Sequence, residues 1–169
     1  MSSFKELFIV RHAKSSWDYE NISDIDRPLK LKGIRDAYEM ARRIKIERKI
    51  PDLMISSPAI RALHTADIFM RVLEDKYSKL KIDERLYGSG VGVIKKLLAE
   101  QTNSIKVLMI FGHNPDFSEL ATVLSGSSYL ELISCGVAYL KFETSDWSSV
   151  SHENIKEFKI DSPKNENLV

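Results

Sequence analysis

Residue types that bind and transfer phosphoryl groups occur at three points of this chain, each near the end of a short apolar run. The runs have the length and composition of buried strands: residues 7–10, 53–55 and 107–111. The residues that follow them include two arginines and two histidines: Arg11, His12, Arg61 and His113. Open α/β sheets bind ligands at the carboxyl ends of their strands. If the three strands are parallel neighbours, these four side chains meet at one rim.

Such a cluster is suited to phosphoryl transfer. Two guanidinium groups offer permanent charge and several donors to phosphate, and helix starts near Pro58 and Asn114 would add backbone N–H groups. His12 can attack phosphorus, while His113 can donate a hydrogen bond to the phosphoryl oxygens. The chain has no P-loop and no carboxylate cluster typical of a Mg²⁺ site. These residues therefore favour phosphoryl transfer through a phosphohistidine, without a metal or cofactor.

The elements between the runs predict how the cluster is positioned. Apolar residues recur at helical spacing in four segments, residues 34–44, 59–73, 91–98 and 117–124. Asn114 followed by Pro115 predicts a capped start of the last helix, with Pro115 at its first position. Residues 137–142 and 155–160 are typical of two further strands. This order predicts an α/β fold: a three-layer sandwich whose mainly parallel mixed sheet carries helices on both faces.

Composition limits the classes of protein that the chain can represent. Its 169 residues suit a single domain, predicted at residues 1–160 with a polar tail at 161–169. A net charge of +1 argues against a nucleic-acid partner, and no apolar run approaches the roughly 18 residues of a membrane helix. The one cysteine, Cys135, excludes an intrachain disulfide. We expect a cytoplasmic protein without a membrane partner and, by default, a monomer.

The four motifs together resemble the histidine phosphatase superfamily, which includes the phosphoglycerate mutases. The similar segments are Arg11-His12-Ala13, Pro28-Leu29 with Gly33, Ser57-Pro58-Ala59-Ile60-Arg61-Ala62 with Thr65-Ala66, and Gly112-His113-Asn114-Pro115. The stretch from Arg11 to Asp18, followed by Asp26-Arg27-Pro28-Leu29, is most similar to the SixA-type phosphohistidine phosphatases. The resemblance implies a phosphoglycerate mutase-like fold with His12 as the phosphorylated nucleophile. It also implies that Arg11, Arg61 and His113 bind phosphate.

Further site residues are expected around these four. Lys14 and Asp18 follow His12 closely, and Ser57 and Asn114 stand at helix starts, where each can either cap a helix or contact substrate. Asp18 stands where the mutases typically have Asn. A carboxylate there would repel phosphate unless it is paired, and we expect Lys14 or Arg27 as its partner.

Glu84 is a candidate general acid. It stands at the same distance from Tyr87-Gly88 as the proton-donating glutamate of many mutases. SixA-type proteins are similar to one another in lacking a clear counterpart. The alternative is that no acid is needed, because phosphohistidine can leave already protonated, whereas an alkyl phosphate leaves as an alkoxide.

The resemblance implies a metal-independent phosphatase that acts on phosphohistidine in a signalling or carrier protein. One alternative is a small-molecule phosphomonoesterase or a phosphoglycerate mutase-like enzyme, although mutases carry longer inserted segments where residues 88–93 run straight into a helix. An alternative of another class is a non-catalytic phosphate-binding module. A metal hydrolase is disfavoured because the four histidines lack the paired spacing of zinc sites.

Overall fold

The computed structural model describes residues 3–73 and 79–164. Within these residues, six strands form one sheet: β1 (Phe4–Arg11), β2 (Leu53–Ser56), β3 (Leu80–Ile82), β4 (Val107–Gly112), β5 (Val137–Glu143) and β6 (Ile155–Asp161). The strand order is β3-β2-β4-β1-β5-β6. The first four of these neighbours run parallel, and β5 is antiparallel to both β1 and β6. The sheet is therefore mixed and mainly parallel.

Helices cover both faces of the sheet, which confirms the predicted three-layer α/β sandwich. They are α1 (Leu31–Ile46), α2 (Ile60–Leu73), α3 (Val91–Ala99) and α4 (Asp116–Ser125). Alternate side chains of β1 enter different cores: Leu7 and Ile9 pack with α3 and α4, whereas Phe8 and Val10 pack with α1 and α2. This alternation is the consequence of the two-residue repeat of a strand whose faces are both covered.

The register brings the predicted functional segments to one rim. Arg11 pairs with Gly112 across β1 and β4, and Ser56 pairs with Phe111 across β2 and β4. The chain segments that leave these three strands therefore start side by side. As in other open α/β sheets, this rim is the expected place for a ligand.

The structure corrects the predicted start of the last helix. α4 begins at Asp116, and Asn114 and Pro115 form a turn before it. Asn114 still serves the first helical turn, because its Oδ1 accepts hydrogen bonds from the backbone N (3.2 Å) and Oγ (2.8 Å) of Ser118. β3 was not predicted, since only three residues pair and the middle one is Lys81.

Strand β6 extends one residue past the predicted domain boundary at residue 160. Asp161 is the last residue of β6 and Ser162 is buried. Arg43 Nη1 donates to the Asp161 carboxylate at 2.9 Å and to the Ser162 carbonyl at 3.1 Å. These bonds fix both residues against α1, and residues 165–169 lie outside the described part of the chain.

In the described part of the chain, no helix has the length and apolar character needed to cross a membrane.

Candidate active site

The backbone around His12 is held from three sides. Its N–H donates to the carbonyl of Gly112 at 3.0 Å, and its own carbonyl accepts from the N–H of Cys135 at 3.1 Å. The next N–H, that of Ala13, donates to Thr65 Oγ1 in α2 at 3.0 Å. Contacts to β4, to the segment before β5 and to α2 therefore fix the residue that sequence analysis predicts as the nucleophile.

The imidazole of His12 is held in one tautomer. Nδ1 lies 2.7 Å from the carbonyl oxygen of Ala13, and a carbonyl oxygen only accepts, so Nδ1 carries the proton. Nε2 accepts from Arg61 Nε at 3.3 Å, so it is the unprotonated ring nitrogen and its lone pair faces Arg61. Burial, together with the charges of Arg61 and Arg11, lowers the pKa of His12 to about 4. At neutral pH the ring is therefore an uncharged nucleophile.

His113 lies beside His12, with 5.1 Å between the ring centroids. Ser57 Oγ is 2.7 Å from His113 Nε2 and also accepts from the N–H of Ala59 at 3.2 Å. Nδ1 of the same ring is a buried atom without a partner among the described residues. Burial, with the charges of His12 and Arg61, lowers the pKa of His113 to about 3. His113 therefore offers one unsatisfied ring nitrogen, and Ser57 joins this ring to the turn that precedes α2.

The two arginines flank the histidines. Arg11 Nη1 donates to the carbonyl of Leu132 at 2.9 Å, and its buried Nε has no partner among the described residues. Burial lowers the pKa of Arg11, but a guanidinium stays charged at neutral pH. Arg61 is buried, and its Nη1 and Nη2 donate to the backbone and the carboxylate of Asp24 at 2.5 and 2.9 Å. The unsatisfied Nε–H of Arg11 is a donor that a phosphoryl oxygen can use.

Asp24 and Tyr87 join the cluster, although no motif of the sequence indicates either residue. The Asp24 carboxylate accepts from Arg61, from Arg27 Nη1 at 3.0 Å and from Tyr87 Oη at 2.7 Å. The Tyr87 ring lies 5.3 Å from that of His113. The bond from Tyr87, followed by those from Arg27 and Arg61, holds the pKa of Asp24 far below its usual range. A fixed negative charge therefore stands beside Arg61.

Lys14 and Asp18, the two predicted rim residues after His12, are exposed to solvent. The prediction that Asp18 pairs with Lys14 or Arg27 is wrong. The Asp18 carboxylate accepts from Ser16 Oγ at 2.9 Å and pairs with Lys30 Nζ at 3.3 Å, instead of Lys14 or Arg27. Arg27 is not free for this role because it bonds Asp24 and the segment before Asp18. The Lys14 side chain is exposed.

The structure does not bring Glu84 into the cluster. It lies in a single 3-10 turn, and its exposed side chain forms no hydrogen bond or ion pair with any described residue. Asn114 is adjacent to the cluster, but its Nδ2 donates to the Leu132 carbonyl at 2.9 Å and its Oδ1 is bound to Ser118. Proton donation by Glu84 and substrate contact by Asn114 stay predictions.

No group of three or more His, Cys, Asp or Glu side chains in residues 3–73 and 79–164 is placed to hold a metal ion.

Known proteins match this chain over most of its length. The family model of the histidine phosphatase superfamily (branch 1) matches residues 7–134. An uncharacterized chloroplastic protein of Arabidopsis thaliana is 32% identical over 154 residues, which cover 85% of this chain and 69% of the relative. The structure assigned as phosphohistidine phosphatase SixA of Nakamurella multipartitia has a TM-score of 0.81 at 20% identity, covering 96% of this chain and 98% of that one. The protein histidine phosphatase SixA complexed with tungstate gives 0.79 at 23% identity, covering 95% and 98%.

Proposed function

The chain belongs to branch 1 of the histidine phosphatase superfamily, and we propose that this phosphatase removes the phosphoryl group from phosphohistidine in a protein through a covalent phospho-His12. The observation that carries the proposal is the state of the His12 ring. Its Nδ1 proton is held by the Ala13 carbonyl, and its Nε2 lone pair faces Arg61. SixA proteins, whose fold this chain shares, are phosphohistidine phosphatases by name, which supports the same substrate class here.

In the first step, His12 Nε2 attacks the phosphorus of a substrate phosphohistidine whose ring is protonated. The Nε2–P bond forms as the P–N bond of the substrate breaks, and the departing imidazole leaves neutral with its own proton. His12 keeps its Nδ1 proton, so the new phosphohistidine carries the ring charge that the substrate gave up. Arg11, Arg61 and His113 hold the three phosphoryl oxygens during the transfer.

In the second step, a water oxygen attacks the same phosphorus. The new P–O bond forms as the P–Nε2 bond breaks, and Nε2 recovers its lone pair. Both water protons leave with the product as dihydrogen phosphate. The free enzyme returns to the tautomer that the Ala13 carbonyl stabilises.

The proton requirement of the leaving group supports phosphohistidine as the substrate over an alkyl phosphate. An alkoxide leaving group needs a proton in the first step, and Glu84 is exposed without a bond to the cluster. Asp24 adjoins Arg61 but stays ionised, because its pKa is far below the usual range. An imidazole leaving group needs neither residue as an acid. The short connection between β3 and α3, residues 83–90, also supports an open site over a lidded one for a small phosphate ester.

The test compares turnover of three substrates in the presence of EDTA: a protein phosphorylated on histidine, p-nitrophenyl phosphate and 3-phosphoglycerate. Rapid quenching with ³²P-labelled substrate traps the intermediate, and its lability in acid identifies a phosphoramidate. His12→Asn should remove both the label and at least about 10³-fold of the rate, as loss of a nucleophile does. His152→Asn, an exposed histidine at the opposite rim, should leave both unchanged.

Each outcome separates the alternatives. Fast turnover of the phosphorylated protein with label on His12 supports the proposal. Preference for either small ester, with loss of activity in Glu84→Gln, would instead establish a small-molecule phosphatase or mutase. Phosphate binding without turnover or label would establish a non-catalytic module, and loss of activity in EDTA would contradict metal independence.

A further inference from the structure

The connection between β1 and α1 exposes three large apolar side chains beside the catalytic rim. Trp17, Tyr19 and Ile22 are 73%, 58% and 37% exposed. Single exposed apolar residues are ordinary on protein surfaces, but these three lie within six consecutive residues that begin five positions after the nucleophile. We call residues 16–26 the rim loop. Its exposed aromatic rings are the type of side chain that interfaces favour.

Trp17 is held in place on one side. The Arg27 guanidinium carbon stacks 3.2 Å from the centre of its ring. Arg27 is itself buried and donates to the Ser16 carbonyl at 3.0 Å and to Ser15 Oγ at 2.6 Å. One face of the indole is therefore fixed against the protein, while most of the side chain is open to solvent. A preorganised aromatic side chain loses little rotamer entropy when a partner covers it.

The rim loop also carries negative charge. It contains four carboxylates and no lysine or arginine: Asp18, Glu20, Asp24 and Asp26. Lys30 pairs with Asp18, and Arg27 and Arg61 pair with Asp24. Glu20 and Asp26 are exposed and have no ion-pair partner in the described part of the chain. An apolar surface with these uncompensated charges is complementary to a basic, apolar one.

The rim loop is joined directly to the phosphate-binding cluster. Asp24 bonds Arg27, which supports Trp17, and also Arg61, which reaches His12 Nε2. One carboxylate thus links the exposed aromatic ring to the nucleophile through two arginines. A partner that covers Trp17 is therefore held on the same connected group of residues as the atom that attacks phosphorus.

We propose that Trp17, Tyr19 and Ile22 are the docking surface for the substrate protein, and that this protein presents its phosphohistidine among lysine or arginine and apolar side chains. This inference rests on the proposed function and adds the chemistry of the substrate around the phosphorylated residue. Apolar contact with the three side chains supplies affinity, and the carboxylates of the rim loop select basic neighbours over acidic ones.

The test uses two synthetic amphipathic helical peptides of about 16 residues, roughly four helical turns, each with one histidine on its apolar face. One carries lysines beside that face and the other carries glutamates at the same positions. Both are phosphorylated on histidine with phosphoramidate for turnover and left unphosphorylated for binding. Free phosphohistidine serves as the small substrate that cannot reach the rim loop and the cluster together.

Two double variants, each with two exposed apolar side chains replaced by serine, compare the proposed docking surface with a control surface. Tyr19→Ser/Ile22→Ser truncates the proposed docking surface, and Ile46→Ser/Ile50→Ser truncates two exposed isoleucines, 80% and 51% exposed, near the end of α1 at the opposite rim. Binding is followed by tryptophan emission. Trp17 is exposed, whereas Trp147, the other tryptophan, is fully buried.

We expect the lysine peptide to shift the emission to shorter wavelength and to bind the protein at least about tenfold more tightly than the glutamate peptide. In Tyr19→Ser/Ile22→Ser its KM should rise about tenfold, as loss of interface anchors does, with kcat and turnover of free phosphohistidine unchanged. Equal KM values in the two double variants, with turnover intact, would overturn the docking surface alone. Binding of the lysine peptide without turnover of any phosphohistidine would overturn the proposed function and leave the surface standing.

Discussion

Acidification from pH 8 to pH 5 should destabilise the folded protein through His12 and His113. Both are neutral in the folded state, because burial and neighbouring charges lower the pKa of His12 to about 4 and that of His113 to about 3. In the unfolded chain a histidine titrates near 6.5. Between these values the unfolded state binds more protons, so stability falls as the pH falls below about 6.5.

The size of the destabilisation follows from the difference between the pKa values of each histidine in the folded and unfolded states. At pH 5 an unfolded histidine is almost fully protonated, about 1.5 pH units below its pKa, while both folded rings stay neutral. One pKa unit corresponds to about 1.4 kcal/mol, so each histidine contributes a loss of about 2 kcal/mol, or about 4 kcal/mol for the pair. Carboxylates titrate mostly below this window. The strongly depressed pKa of Asp24 adds its own loss only near pH 4 and below.

Urea unfolding at pH 8 and pH 5 measures this difference directly, because the free energy of unfolding extrapolates linearly to water. The wild-type chain should lose about 4 kcal/mol between the two pH values. His12→Gln and His113→Gln should each lose about 2 kcal/mol, and the double variant should lose little, since glutamine does not titrate.

Two results would refute the reasoning. A wild-type chain equally stable at both pH values would mean that the two imidazole rings are protonated in the folded state, or that they are not buried. A double variant that keeps the full loss would assign the acid sensitivity to other groups. Unchanged circular dichroism of the variants at pH 8 establishes that the comparison is made between folded proteins.

Three further changes test other parts of the site and the core. Asp24→Asn removes the negative charge that neutralises Arg61. At the effective dielectric constant typical of protein surfaces, the competitive Ki of inorganic phosphate should fall about tenfold. A higher Ki in this variant would contradict the expectation. Arg61→Lys cannot reproduce the fork that reaches His12 and Asp24 at once, so quenched-flow phosphorylation of His12 should slow about 10³-fold. Lys5→Met leaves two loop carbonyls without the buried Nζ that donates to them at 2.8 and 2.7 Å. The free energy of unfolding in urea should fall by about 2 kcal/mol, while turnover is unchanged. Equal stability would show that water replaces Nζ.

Parts of the fold that depend on local pattern could be predicted from the sequence. The apolar runs of β1, β2 and β4 are buried on both faces, apart from the half-buried Val107, and therefore carry a strong signal. Gly33 was found by resemblance, and the structure supplies its reason: a Cβ there would overlap the carbonyl oxygen of Lys14. α1 can pack against the segment after His12 only because this position has no side chain.

Features that depend on distant contacts could not be predicted. Asp24 meets Arg61 and Tyr87 across 37 and 63 positions of the chain, and periodicity carries no information at such separations. The available signal was Asp24 itself, three residues before an arginine in a polar loop, a spacing that permits the ion pair seen here. Asp18 was assigned the wrong partner for the same reason: the choice between Lys30 and Arg27 depends on which cation Asp24 already holds.

The cost in acid stability and the chemistry of the site have one physical cause. A nucleophilic imidazole must be neutral, whereas a phosphoryl group needs positive charge around it. The site separates these demands because burial, with the charges of Arg61 and Arg11, lowers the pKa of His12, and the arginines, which do not lose their protons, are the proposed phosphate ligands. A protonated His12 would add another cation to the cluster and lose its lone pair. The buried arginines and the acid-sensitive neutral histidines are therefore parts of the same arrangement, so a variant that tolerates acid by removing either histidine should lose phosphoryl transfer.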